Sequence, residues 1–427
     1  MAEVVRDTTN FPDECDYSFN DQHQLTHLKY DLAPHVLARL SRALPELQMR
    51  DGVIACSFEW RNHPECEKLK ALAEGWARHH FGGGHGHILN INCDKLIGSD
   101  FHLLATMAMA GGRSERMPAA VKLMVWFFVF DNFMDEPALM GADVRASRDM
   151  VDAIISVFHH HEAEIEAEAE AVDAGMTMND SATSNEDLYG SAIRVIQESA
   201  RDWWDEMRHL GMSQRQQCRF VSVFKSYLEA NTEQVAFRQL RQIPDLEMYK
   251  ELRLHSIGWY VSSLTLEFAL GLDLPNEIIE HPLLSALEMA AAFHIAFVND
   301  IFSFRKELSD GDLMNLVPVL LWHNLGRSQH ILRLRAVEPL VQKTVSEALG
   351  LVRELDEECV QLMAMIRAAV RGGNGEFGVL ANEEAAVAVE MYLDGVSDWL
   401  SGNLQWHRIS KRYVDSNMNN PSISIGI

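Results

Sequence analysis

Apolar residues recur through most of this chain at intervals of three and four, the repeat of one face of an α-helix. Between 64 and 80, for instance, Leu69, Leu72, Ala73 and Trp76 fall on one side. The same pattern predicts helices over 27–47, 101–109, 119–136, 151–172, 191–210, 213–239, 246–272, 282–307, 315–323, 337–372 and 381–413. Pro244, Pro282, Pro318 and Pro339 stand just before or inside the first turn of such stretches, where the missing N–H has no helical partner anyway. Pro275 follows the end of one and helps to stop it. No alternation of apolar and polar residues runs long enough to build a sheet. A stretch at about 162–187 is first strongly acidic and then rich in Gly, Asn, Ser and Thr. It reads as a solvated helix end followed by a loop. With no internal repeat and no Pro/Ser linker, the pattern predicts one all-α domain over 26–413. A polar lead-in (1–25) precedes it and an Asn/Ser-rich tail (414–427) follows.

Two of the most apolar helices carry polar residues at the helical repeat. In 282–307, the run Ala-Ala-Phe-His-Ile-Ala-Phe-Val leads into Asn299-Asp-Ile-Phe-Ser-Phe-Arg-Lys-Glu307. Asn299, Ser303 and Glu307 are four apart and share a face. Three oxygen donors stacked a turn apart, one a carboxylate, suit a hard divalent cation. In 119–136, the apolar run from Val121 to Phe130 ends in Asp131-Asn-Phe-Met-Asp135-Glu136. Asp131 and Asp135 share a face, and Pro137 marks the helix end. Either cluster alone is more often a helix face or end that meets water. Together they fit a phosphate-bearing ligand clamped between helices by metal ions, because Mg²⁺ takes one or two carboxylates and completes its shell with water and phosphate oxygens.

The clusters also resemble two motifs of the class I terpene synthases. Asp131 to Asp135 is similar to that family's aspartate-rich motif in its Asp-Asn-x-x-Asp form, and Asn299 to Glu307 to its second metal motif, Asn-Asp-x-x-Ser-x-x-Lys-Glu. Two further segments fit. Trp406-His-Arg-Ile-Ser-Lys-Arg412-Tyr413 resembles the Trp-x-x-x-x-x-Arg-Tyr ending of microbial-type members. Arg253-Leu-His-Ser-Ile-Gly258 resembles the segment with the diphosphate-sensing arginine, 299 − 253 = 46 residues before Asn299. The resemblance implies a single α-helical bundle around an apolar active-site cavity. It implies that Asp131 and Asp135 hold two Mg²⁺ ions and that Asn299, Ser303 and Glu307 hold a third, with Mn²⁺ able to substitute. Arg253, Lys306, Arg412 and Tyr413 would grip the diphosphate. Phe127, Phe128 and Trp406 are candidates for the cavity wall, and Gly258 for a helix break that faces it. Asn132 stands where many members have a second acid, and Glu136 is left without a role.

The chemistry so implied is ionisation of a small-molecule prenyl diphosphate. Metal ions and basic side chains neutralise the leaving group. A dry, aromatic pocket then protects and stabilises the carbocation. Farnesyl diphosphate and a cyclic sesquiterpene are the expected pair; geranylgeranyl or geranyl diphosphate are the alternatives. A chain-elongating prenyltransferase usually carries two aspartate-rich motifs, whereas the second here is Asn/Ser/Glu and an Arg-Tyr ending is present. A non-catalytic helical scaffold would not need a competent residue at every metal position. Composition narrows the partners further. Net charge is 37 − 62 = −25, which argues against nucleic acid and anionic membrane surfaces. The six cysteines form no Cys-x-x-Cys pair and read as reduced thiols. The N-terminus has no apolar signal core, and the longest apolar run, Leu123 to Phe130, is far short of the ~20 residues of a membrane span. The expectation is a cytoplasmic monomer or homodimer.

Overall fold

A computed structural model describes residues 28–29, 53–83, 92–135, 140–141, 143–167, 185–240, 242–310, 312–324, 337–372 and 383–412. The helices in chain order are α1 (Cys66–Phe81), α2 (Cys93–Gly98), α3 (Phe101–Ala108), α4 (Met117–Asp135), α5 (Val144–Ala167), α6 (Asn185–His209) and α7 (Gln214–Leu240). Then come α8 (Leu246–Ser256), α9 (Trp259–Leu270), α10 (Asn276–Ile279), α11 (Pro282–Asp310), α12 (Leu316–Asn324), α13 (Val337–Gly372) and α14 (Glu383–Ile409). The all-α expectation holds, with one small addition. Two residues, β1 (Leu28–Lys29), pair antiparallel with β2 (Gln242–Ile243). Residues 28 and 29 are therefore not part of the helix expected over 27–47, whose remainder lies outside the described residues. So do the lead-in, most of the 162–187 loop and the tail; residues 185–187 of that loop already belong to α6.

The predicted helix 246–272 is two helices. Gly258 sits between them at φ +73°, a conformation that glycine adopts without strain. Predicted helix 381–413 stops at Ile409, and its continuation is broken at Ser410. The Ser410 hydroxyl accepts from the Arg412 amide at 3.2 Å, so it caps a fresh turn. Two short helices, α2 and α10, escape a periodicity reading because they are barely one turn or two long.

The helices close a ring. α3 packs on α4, α4 on α7, α7 on α8, α8 on α11, α11 on α14, and α14 back on α3. α9 contacts α4, α7, α11 and α14 from within this ring. It is apolar on every side, and all of its residues but Tyr260 are buried, the signature of a core helix. Its last carbonyls are satisfied from outside: Arg113 Nε donates to Leu270 O at 3.1 Å and Arg116 Nη1 to Phe268 O at 2.9 Å. Its one carboxylate, Glu267, is met by Arg219 of α7 at 2.9 Å. α14 approaches α3 backbone to backbone at Gly402, where a Cβ would lie 2.7 Å from the Met107 carbonyl carbon. α4 and residues 282–308 are long and apolar enough to cross a membrane, each with mean hydropathy 1.3. In this fold, other helices bury about two-thirds of each.

Two predictions follow from this packing. Gly402→Ala should destabilise the protein by about 1–3 kcal/mol through overpacking, read as a lower midpoint in denaturant. The second concerns Glu288 of α11, which is buried and accepts the Tyr392 hydroxyl of α14 at 2.6 Å. Burial pushes its carboxyl up to about 7, and the tyrosine offsets only part of that. From about pH 4.5 to 7 the folded protein thus keeps a proton that the unfolded chain has lost. Its stability contribution is largest below that window and falls as pH rises through it. Glu288→Gln should flatten this slope, so thermal unfolding of the variant should gain on the native protein at pH 8 relative to pH 5.

Candidate active site

The polar ends of α4 and α11 meet at one mouth of the ring, and a residue from a third helix joins them. Arg238 of α7 donates through Nη1 to Asp135 Oδ1 at 2.9 Å and to Asp312 Oδ2 at 2.5 Å. It also donates to the carbonyls of Met134 and Gly141. Asp312, just beyond α11, donates its amide to Glu307 O at 2.8 Å. The positive charge of Lys306 acts on Asp135 across the same gap.

On α11, Asn299 is held from two sides. Arg253 Nη2 donates to its Oδ1 at 2.7 Å, and its Nδ2 lies 3.2 Å from His407 Nε2 of α14. The arginine is only a donor, so the amide nitrogen must face the histidine. His407 Nδ1 lies 2.7 Å from Asn403 O; the proton therefore sits on Nδ1 and Nε2 accepts. Burial agrees, pushing the imidazole down to about 4 and keeping it neutral. Arg253 also pairs with Asp300 at 2.6 and 3.0 Å. Burial opposes its charge, but Asp300 holds it protonated and raises its pKa. Asp300 further accepts the Tyr249 hydroxyl and the Leu316 amide. Glu307 Oε2 accepts from Asn315 Nδ2 at 2.8 Å, and the same nitrogen reaches Asp300 O at 2.8 Å and Ser303 Oγ at 3.5 Å.

On α4, Arg412 Nη2 lies 3.4 Å from Asp131 Oδ2 and 3.3 Å from Asn132 Oδ1. Its guanidinium rests 5.1 Å from the Phe128 ring and 5.5 Å from the Phe101 ring, a cation–π arrangement. Phe128 stacks on Phe101 at 3.8 Å, and Trp406 packs against both. Trp406 is fully buried and donates its indole N–H to Asp100 O. Phe127 faces the other way, edge-on to Tyr227 at 5.1 Å. A Cβ on Gly258 would come within 3.3 Å of Tyr227 and 3.9 Å of Phe127, so these three form one cluster. Tyr413 and Glu136 lie outside the described residues.

Desolvation raises Asp135 to about 7, helped by Asp131 and opposed by Arg238. It raises Glu307 to about 8, helped by Asp300 and Asp312. Carboxylates crowded in this way favour a cation, and an all-oxygen donor set favours a hard one. Among the described residues no three His, Cys, Asp or Glu groups form a complete metal cage. Each face thus fits an ion that completes its shell with ligand and water oxygens. A cavity of about 320 Å³, lined by Cys56, Ser57, Asp356, Leu404 and Arg408 among others, shares no residue with either face.

Sequence reasoning did not find Arg238, Asp312, Asn315, Tyr227, Tyr249 or His407, nor a part for Asp300. Asp300 and His407 lie within quoted motifs, but at undefined positions or off the defining face: Asp300 is about 100° around the helix from Asn299. The others join the site from separate elements, with no local signal.

Comparison with known proteins fits this geometry. Residues 122–330 match the family described as terpene synthase family 2, C-terminal metal binding. Sesquiterpene synthase 3 of Postia placenta is 27% identical over 321 residues, 75% of this chain and 72% of that protein. Alpha-muurolene synthase of Coprinopsis cinerea is 24% identical over 372 residues, 85% and 73% respectively. The crystal structure of germacradien-4-ol synthase from Streptomyces citricolor has the same fold, with a TM-score of 0.63 at 19% identity over 84% of this chain and 98% of that one. Residues 122–330 thus match a terpene synthase metal-binding domain, and the comparisons together support a microbial-type class I terpene synthase, a lyase.

Asp300→Ala would leave Arg253 buried without its carboxylate. A loss of about 3–5 kcal/mol is expected, measured by chemical denaturation.

Proposed function

We propose that the protein is a Mg²⁺-dependent sesquiterpene synthase that ionises farnesyl diphosphate, releases diphosphate and forms a cyclic sesquiterpene. The observation behind this reading is the pair of oxygen-donor faces on α4 and α11, tied by Arg238 and flanked by Arg253, Lys306 and Arg412. Asp131 and Asp135 would hold two ions, and Asn299, Ser303 and Glu307 a third, with Mn²⁺ an acceptable substitute. Bound there, the ions would neutralise the diphosphate as the C–O bond breaks. Farnesyl is preferred as the chain because relatives matched over long spans are named as sesquiterpene synthases.

The remaining steps fall to the chain itself. Arg412 stands beside Asp131 and Arg253 beside Asn299, so basic groups bracket a head group from both faces. Each is already held in place by a carboxylate or an aromatic ring, which lowers the reorganisation needed when a diphosphate arrives. The Phe101–Phe128–Trp406 stack and the Phe127–Tyr227 pair lie just beneath the α4 face. Their rings suit an apolar tail and a carbocation, and they exclude water.

The test is a product assay with geranyl, farnesyl and geranylgeranyl diphosphate, each with Mg²⁺ and with EDTA, read by gas chromatography–mass spectrometry. A sesquiterpene from farnesyl diphosphate that vanishes with EDTA is expected. Asp131→Ala and Asn299→Ala should each lower turnover on the order of 100-fold or more. A diterpene from geranylgeranyl diphosphate would change the substrate. Longer prenyl diphosphates after adding isopentenyl diphosphate would make the protein a prenyltransferase. No turnover by folded protein would sink the reading.

A further inference from the structure

Each acid face contains one carboxylate that is oriented from outside its own helix. Asp135 gives Oδ1 to Arg238 of α7, and Glu307 gives Oε2 to Asn315 beyond the end of α11. A carboxylate has two oxygens, so in both cases engaging one leaves the other for a ligand and fixes its direction. The two orienting contacts lead back to the same short connection between α11 and α12. Asn315 acts on Glu307 directly; Asp312, three residues earlier, acts on Asp135 through Arg238.

That connection is itself pinned. Asp312 Oδ1 accepts the Met314 amide at 2.8 Å, and Asn315 Oδ1 accepts the Val317 amide at 2.9 Å to cap α12. Arg238 has little freedom either: its side chain is 6% exposed and it makes four distinct contacts. The linkage from Asp135 to Glu307 thus runs through polar contacts to Asp312, along the pinned backbone to Asn315, and through a last hydrogen bond to Glu307. Orienting partners of this kind affect metal affinity by about 10–100-fold.

We propose that Arg238, acting through Asp312 and the residues up to Asn315, is a positioning residue that couples the two metal faces. It sets the direction of Asp135 relative to Glu307, so that ions and diphosphate bind both faces as one unit. The proposal rests on the metal-dependent function proposed above. If Arg238 merely fastened α7 to α4, its loss would cost stability and leave ligand affinity alone.

Calorimetric titration with Mg²⁺ and inorganic diphosphate, together with chemical denaturation of the ligand-free protein, separates these roles. The variants are Arg238→Met, Arg238→Lys, Asp312→Asn and the double variant Arg238→Met/Asp312→Asn. Arg219→Met is the control, since it breaks the Arg219–Glu267 pair on α9, away from the mouth. Arg238→Met and Asp312→Asn should each weaken binding about tenfold or more. The double variant should bind no worse than the weaker single one, because both remove the same link. Arg238→Lys should recover part of the loss. Arg219→Met should lose stability yet bind within twofold of the native protein. Binding within twofold for Arg238→Met and Asp312→Asn would overturn the coupling, as would losses that simply multiply or an equal loss in Arg219→Met. A native protein that fails to bind Mg²⁺ and diphosphate would remove the functional reading itself, and the coupling with it.

Discussion

Like-charged carboxylates held together in a poorly solvated place repel one another, and this constraint organises the mouth of the bundle. Asp131, Asp135, Asp300, Glu307 and Asp312 come from two helices and one connection. Each has found a donor: Arg412 for Asp131, Arg238 for Asp135 and Asp312, Arg253 for Asp300, Asn315 for Glu307. The compensation is incomplete, since Asp135 and Glu307 are still pushed well above the ordinary carboxylate range. What remains is an attraction for further positive charge at the place where an anionic head group must be neutralised. In a chain of net charge −25, binding such an anion depends on this local arrangement and not on the overall field.

The scaffold serves the same end. The ring of helices brings α4 and α11 to one mouth, while α9 occupies the interior and meets the walls from within. Its start at Gly258 lets the wall helix α8, which carries Arg253, end where the buried α9 begins. The aromatic rings between them fill the space just below the acid faces. Charged chemistry at the rim and apolar chemistry beneath are thus separated by a few residues of the same helices.

Much of this could be read from the residues, and the limits have physical causes. Asn299, Ser303 and Glu307, like Asp131 and Asp135, are legible because neighbours on a helix face recur every fourth position. The break at Gly258 entered only through the resemblance: the apolar pattern runs on through 246–272, and a glycine within it need not end a helix although it can take the backbone angle that does. The break at Ser410 was not legible, because serine is common inside helices and its capping role depends on where the next turn points. Arg238 was invisible for another reason: it lies 103 positions from Asp135, and nothing in its own helix distinguishes it from a surface arginine. Asp312 and Asn315 stand past the end of α11, where helical spacing no longer says which groups face each other.

Arg412 meets Asp131 across 281 positions of sequence, and that separation has a meaning for the birth of the protein. A ribosome adding about 5–20 residues per second makes the acidic end of α4 tens of seconds before its basic partner exists. The last helix also supplies Trp406, whose indole closes on the Asp100 carbonyl 306 positions earlier. Throughout that interval the Asp131 carboxylate is without its Arg412 partner. The contacts that α14 makes with α3 and α4 are therefore among the late ones to form as the chain is made.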